Sequence, residues 1–338
     1  MSLKSYIASR IALMIPMVLF LLTLVFILLR MLPGDPVLLH FEKGATPEAI
    51  AEMRHRLGMD KSLPEQFVDY LVGIFSGNLG LSMQDYAPVT QHLVERFPAT
   101  LELALFSMLF ASLFGIALGV SSAKNYGTKK DAAIRLFGIV TYAIPVFFLG
   151  MLFQYIFAFW LNILPTGRRF DMRYGDLMPQ RITGLLTIDS LIQLNFPAFF
   201  IALRHLLLPS ITLGLILCGI FVRLTRTNML ETLRADFVVA AQARGLPDSR
   251  VTYVYALKNA FLPILTMIGL QFAALLAGAV LTETTFSWNG IGTYLVERIG
   301  HRDYTAIQGT VVFFGLLVTL VTLVVDILYA ALDPRIRL

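Results

Sequence analysis

Long apolar runs, broken by shorter polar stretches, dominate this chain. A helix that crosses a bilayer needs about 20 mostly apolar residues. Six stretches meet that length, at roughly 11–29, 101–120, 136–161, 206–222, 262–281 and 307–330. They predict an all-α, polytopic membrane protein with six transmembrane helices. The third run is long enough to tilt or bend, and Pro145 lies within it as a hinge or as a tolerated kink. A shorter aromatic-rich run at 196–203 is read as a helix lying in the membrane interface. The first run is too long for the core of a signal peptide and is read as a retained span.

The polar segments carry helix punctuation of their own. In the segment after the first run, Pro47-Glu48 opens a helix that Gly58 ends. Leu63-Pro64-Glu65 opens a second, closed by Gly77. Together they predict a small helical cap. The stretch 223–259 is too polar for lipid, yet 229–244 can form an amphipathic helix. Gly245 offers it a left-handed cap, Pro247 stops it, and Asp248 or Ser249 starts another helix. Ala240 and Ala241 are expected to keep one face slim, so that a partner can approach the backbone. Gly115 and Gly119 form a G-x-x-x-G pair, the spacing that lets membrane helices approach closely. The organisation expected is 1–31 as N-terminus and first span, 32–98 as an outer helical segment, and 99–338 as a five-span core.

Composition agrees. Hydrophobic residues make up 57% and charged residues 14% of 338 residues, and mean hydropathy is +0.73. The formal net charge of +5 is a matter of sidedness. If the N-terminus is inside, Lys and Arg are about twice as dense in the inside segments as outside, which predicts cytoplasmic termini. The basic residues form no stripe or tail, so nucleic acid is not an expected partner. Cys218 is the only cysteine, which excludes an intrachain disulfide and a thiolate metal site. No histidine pair has ligand spacing, so no metal site is expected. No phosphate-binding loop, nucleophile elbow or H-E-x-x-H occurs, so no catalytic residue is assigned.

Three acidic residues stand out. Asp326 lies inside the sixth run, as the relay of a proton-driven carrier or as the partner of a basic residue. Glu283 and Asp303 flank the outer segment after the fifth run, beside Phe286 and Trp288, whose types suit the membrane interface. That segment either lines the path of a substrate or forms a structural re-entrant plug.

The strings VAAQARG at 239–245, LPGDP at 32–36, FPATLELA at 97–104, LTETTFSWNGIG at 281–292, RDYTAIQG at 302–309 and LDPRIRL at 332–338 are also informative. In this order, with ALKNAFLPILTMIGLQ at 256–271, they resemble the membrane subunits of bacterial ATP-binding-cassette importers of the dipeptide, oligopeptide and nickel branch. Val239 stands where the wider family has Glu, as is usual in that branch. The resemblance is closest to dipeptide members with a long first outer segment, and it implies a type I ABC-importer permease fold. It also implies partners: a second homologous permease subunit, two cytoplasmic ATPases that bind ATP and Mg, an extracytoplasmic binding protein, and surrounding lipid. Asp236, Ala240, Ala241, Arg244 and Gly245 would seat in a groove of one ATPase. Pro33, Gly34, Asp35, Pro36, Asp333, Pro334 and Arg335 would be structural signatures. A proton-driven carrier, or an importer of nickel chelates or glutathione, is the alternative reading.

Overall fold

The computed structural model describes residues 3–31, 37–38 and 46–332. The described residues are mainly helical: α1 (Leu3–Met31), α2 (Pro47–Arg56), α3 (Leu63–Phe75), α4 (Val89–Lys124), α5 (Lys129–Ala143), α6 (Val146–Trp160), α7 (Leu186–Ile192), α8 (Phe196–Leu233), α9 (Asp236–Ala243), α10 (Asp248–Ala277), α11 (Val280–Thr285), α12 (Ile291–Gly300) and α13 (Tyr304–Leu332). Five of these helices are long and apolar enough to cross a bilayer, and the bent pair α5–α6 supplies a sixth crossing if taken as one span. The capping predictions around α2 and α3 match. Thr46 caps α2, a capping box joins Ser62 and Glu65 at α3, and Gly58 and Gly77 take positive φ of 63° and 78°.

Three expectations are corrected. Residues 196–203 are not an interfacial helix but the first turns of α8, a single helix of 38 residues. The polar Arg204 and His205, which divide the apolar pattern, are absorbed by the preceding loop. Arg204 donates to the Ile163 carbonyl at 2.9 Å and His205 Nδ1 meets the Gly167 carbonyl at 2.8 Å. The helix expected over 229–244 is two helices. Met229 belongs to α8, the chain is extended at Ala235 (φ −75°, ψ 147°), and α9 begins at Asp236. Phe286 and Trp288 are not interfacial but 1% exposed, with Trp288 Nε1 donating to the Ala99 carbonyl at 2.8 Å.

Pro145 is a break rather than a tolerated kink. The chain is extended at Ile144, and α5 and α6 meet at 101°.

The core is the crossing of α4 with α8, and glycine sets its closeness. A Cβ on Gly115 would lie 2.5 Å from the Phe221 Cβ and 3.0 Å from the Cys218 carbonyl. One on Gly119 would lie 2.5 Å from the Thr225 Cβ and 2.9 Å from the Val222 carbonyl. The G-x-x-x-G pair is therefore a true contact surface. Across α8, Gly219 faces the Gly138 carbonyl of α5 in the same manner.

Gly119→Leu is expected to part α4 from α8 and lower stability by about 1–3 kcal/mol or more. Gly300→Ala, where a Cβ meets open space, serves as the neutral control. Thermal unfolding of purified protein in mild detergent reads the difference.

Candidate functional site

At its end away from α2 and α3, α8 leaves the bundle and the chain turns back through α9, an elbow whose two faces differ. Residues three apart share a face of a helix. Val238 and Ala241 point inward, 0% and 3% exposed, into a cluster with Val120 and Ala123 of α4, Met229 of α8, and Val251, Ala256 and Ala260 of α10. Three spans thus meet at one short helix. The other face shows Asp236, Phe237, Val239, Ala240, Arg244 and Gly245 to the surroundings. Only Ala240 of the two alanines therefore keeps the outer face slim, whereas Ala241 serves the inner contact. Asp236 stands in the first turn, where the helix dipole favours an acid. Gly245 has φ +73° with open space around a would-be Cβ, so backbone conformation, not crowding, selects glycine there.

Pro33, Gly34, Asp35, Pro36, Asp333, Pro334 and Arg335 lie outside the described residues.

Beside the elbow is a charged knot that the sequence motifs did not announce. Asp131 of α5, 1% exposed, receives Arg226 of α8 through two bonds, Nε at 2.8 Å and Nη2 at 2.9 Å. Ser122 Oγ donates to it at 2.6 Å and the Gly127 amide at 3.2 Å. The guanidinium groups of Arg226 and Arg234 lie 5.4 and 5.8 Å from the Tyr126 ring centre, and the Lys124 ammonium lies 5.9 Å from that of Tyr253. The one signal available was Asp131 three residues after the helix-capping Thr128, an acid alone among Lys129, Lys130 and Arg135. A groove of about 550 Å³ opens alongside, lined among others by Arg135, Tyr142, Arg223, Arg226, Met267 and Gln271. Its lining is basic and apolar together. Nearby, Asp326 is paired with Arg10 of α1 at 3.4 Å, the structural alternative of the two weighed for it.

Residues 115–338 match the family described as binding-protein-dependent transport system inner membrane component, and 3–104 match its N-terminal component. The chain belongs to this family. It is 44% identical over 334 residues to the Pseudomonas aeruginosa protein named di/tripeptide transport system permease protein DppB, covering 98% of both chains. The Escherichia coli dipeptide transport system permease protein DppB is 40% identical over 334 residues, again 98% of both. The glutathione transport system permease protein GsiC of Salmonella choleraesuis is 35% identical over 333 residues, 98% of this chain and 99% of that one. The chain is accordingly a multi-pass inner-membrane subunit of a transport system.

At the opposite end of this membrane component, α11 and α12 fold back as a plug. Both of its flanking acids are inside protein. Glu283 is 0% exposed and accepts from Thr100 Oγ1 at 2.6 Å and the Thr293 amide at 3.0 Å. Asp303, 1% exposed, accepts from Ser82 Oγ at 2.7 Å and the Ala306 amide at 3.0 Å. Burial and these bonds give both acids a structural part in holding the segment to α4 and α13. Burial pushes the Glu283 carboxyl up to about 7, against the opposing pull of Thr100, the Thr293 and Gly292 amides and the Arg96 charge.

Arg226→Met leaves a buried carboxylate without its partner and is expected to cost about 3–5 kcal/mol. The double variant Asp131→Asn, Arg226→Met is expected to recover much of that loss in the same unfolding assay. For Glu283 the folded carboxyl holds its proton to higher pH than the unfolded one. Its contribution is fully present below about pH 4.5 and is lost as pH rises through about 7. Wild type is therefore expected to melt higher at pH 5 than at pH 8, by an amount on the order of 1–3 kcal/mol. Glu283→Gln should flatten that dependence.

Proposed function

We propose that this chain is one of two membrane-spanning subunits of an ATP-driven importer of dipeptides and short oligopeptides, and that it carries out no chemistry itself. The observation that carries the reading is its similarity, over 98% of its length, to a di/tripeptide permease. The second wall of the pathway would be a homologous permease subunit. Two cytoplasmic ATPases would bind ATP and Mg, and an extracytoplasmic protein would deliver substrate. The groove beside Arg135 and Arg223 suits this role, since a short peptide presents both a carboxylate and apolar side chains. The density of Lys and Arg on the elbow side supports a cytosolic elbow and cytosolic termini.

The outer face of α9 is then the grip for one ATPase. Closure of the ATPases would press on Asp236, Ala240, Arg244 and Gly245. The inner face, through Val238 and Ala241, would pass the displacement to α4, α8 and α10. For ATP to drive the cycle, its bound state must favour one arrangement of the spans through contacts that the other lacks.

Ala240→Trp adds bulk on the exposed face while leaving the inner cluster intact. ATP-driven dipeptide uptake in proteoliposomes is expected to fall at least tenfold, with co-purification of the ATPases lost and the melting temperature of the chain unchanged. Normal uptake and normal co-purification would remove the elbow from the mechanism.

A further inference from the structure

Arg10 and Arg30 of α1 are about 30 Å apart along the helix at 1.5 Å per residue, the thickness of a bilayer's hydrocarbon core. Arg10 pairs with Asp326 at one boundary, so Arg30 marks the other. The helix α3, expected from the sequence to sit above that boundary in an aqueous cap, descends below it. Gln66 accepts from Arg30 Nε at 3.0 Å. The rings of Phe67 and Tyr70 lie 5.1 and 5.6 Å from Phe26, one turn deeper. The Tyr70 hydroxyl donates to the Leu22 carbonyl at 3.3 Å, about 12 Å below Arg30 along α1. Leu71 and Ile74 join Val18, Leu21, Leu22 and Val312 in one apolar cluster.

The sides of α3 divide by polarity. Gln66, Asp69 and Tyr70 turn to a cavity of about 540 Å³ that they share with Arg30 and Gln308. Val68, Val72 and Phe75 face away from it and are 57%, 63% and 73% exposed. At the same depth α1 also exposes apolar side chains, Phe20, Leu24 and Ile27.

The backbone at the deep end closes on itself with the glycine cap common at helix C-termini, as α2 does at Gly58. The Val72 carbonyl accepts from the Ser76 amide at 3.0 Å and its hydroxyl at 2.9 Å. The Gly73 carbonyl accepts from the Asn78 amide at 2.8 Å, and Ile74 from the Gly77 amide at 3.0 Å. The Gly77 carbonyl accepts from Thr90 Oγ1 at 3.0 Å, and Asn78 Oδ1 takes the Gly80 amide at 2.9 Å. The turn after α3 is therefore compatible with membrane depth, where irregular backbone needs internal partners; the depth itself rests on the contacts with α1.

We propose that α3 is a re-entrant segment of the leaflet on its side of the membrane, with Val68, Val72 and Phe75 in contact with lipid acyl chains. The chain enters at the polar Lys61–Glu65 end, reaches its lowest point near Phe75, and returns through Gly77–Gly80 to α4. The loop between the first two spans is thereby anchored in lipid and holds α1 against α13.

The test uses the intact transporter in phospholipid nanodiscs. Single nitroxides are placed at Val68, Val72 and Phe75 through cysteine on a Cys218→Ala background, with Glu52 of α2 as an aqueous reference. Collision rates with oxygen and with a water-soluble nickel chelate are then compared by electron paramagnetic resonance. The expected result is an oxygen-to-nickel ratio that rises from 68 to 75 and exceeds the Glu52 value several-fold. High nickel collision at 75 would place the row in water, and low collision with both reagents would place it under a partner protein. Either result overturns the proposal. If labelled protein fails to assemble, Phe75→Asp and Phe75→Leu are compared in proteoliposomes. Leu is expected to be neutral and Asp to lower the melting temperature, and equal tolerance of both would refute the assignment.

Discussion

Lipid offers no hydrogen bonds, so every polar group below the headgroups must be answered by protein. That single constraint accounts for much of the architecture. It joins Asp326 to Arg10 and sends the loop before α7 onto Arg204 and His205. Spans that carry such groups must touch, and where α4 meets α8 glycine permits contact at backbone distance. Polar satisfaction and close packing are therefore one requirement met twice.

The elbow shows how the same economy of contacts makes a mechanical joint. One face of α9 is fixed by Val238 and Ala241 to three spans, and the other is free. A force applied to the free face has few soft elements to compress, since protein interiors pack as densely as organic crystals. The ring contacts of Arg234 and Lys124 bind the α4–α5 turn to the same body. Under the function proposed above such a joint would pass force to the spans, and its packing explains how it could.

Much of this was legible in the residues. The apolar runs marked five crossings, and a sixth where the bent pair α5–α6 is one span, and Pro47, Gly58, Pro64 and Gly77 marked α2 and α3, because those signals act locally on the backbone. Gly245 was legible for the same reason. Ala241 was not, because which alanine faces inward depends on where α9 begins, and the turn at Ala235 lacks Gly or Pro. Residues 196–203 misled because their continuity with α8 depends on carbonyls supplied by a distant loop. The residue types of Trp288 and Phe286 suit an interface, whereas their burial against α4 is a tertiary fact. Asp131 carried almost no signal, since its partner lies on another span.

The break at Pro145 has a consequence for how the two ends of the subunit communicate. Below it, α5 is tied by Asp131 to the elbow body. Above it, α6 is tied to the plug, through Gln154 donating to the Thr285 carbonyl at 3.0 Å and through Gly150 seated against Phe286. The helical ladder is interrupted between them at Ile144. The third crossing is thus a pair of levers on one pin. Rotation of the half on the elbow side is not obliged to drag the far half along.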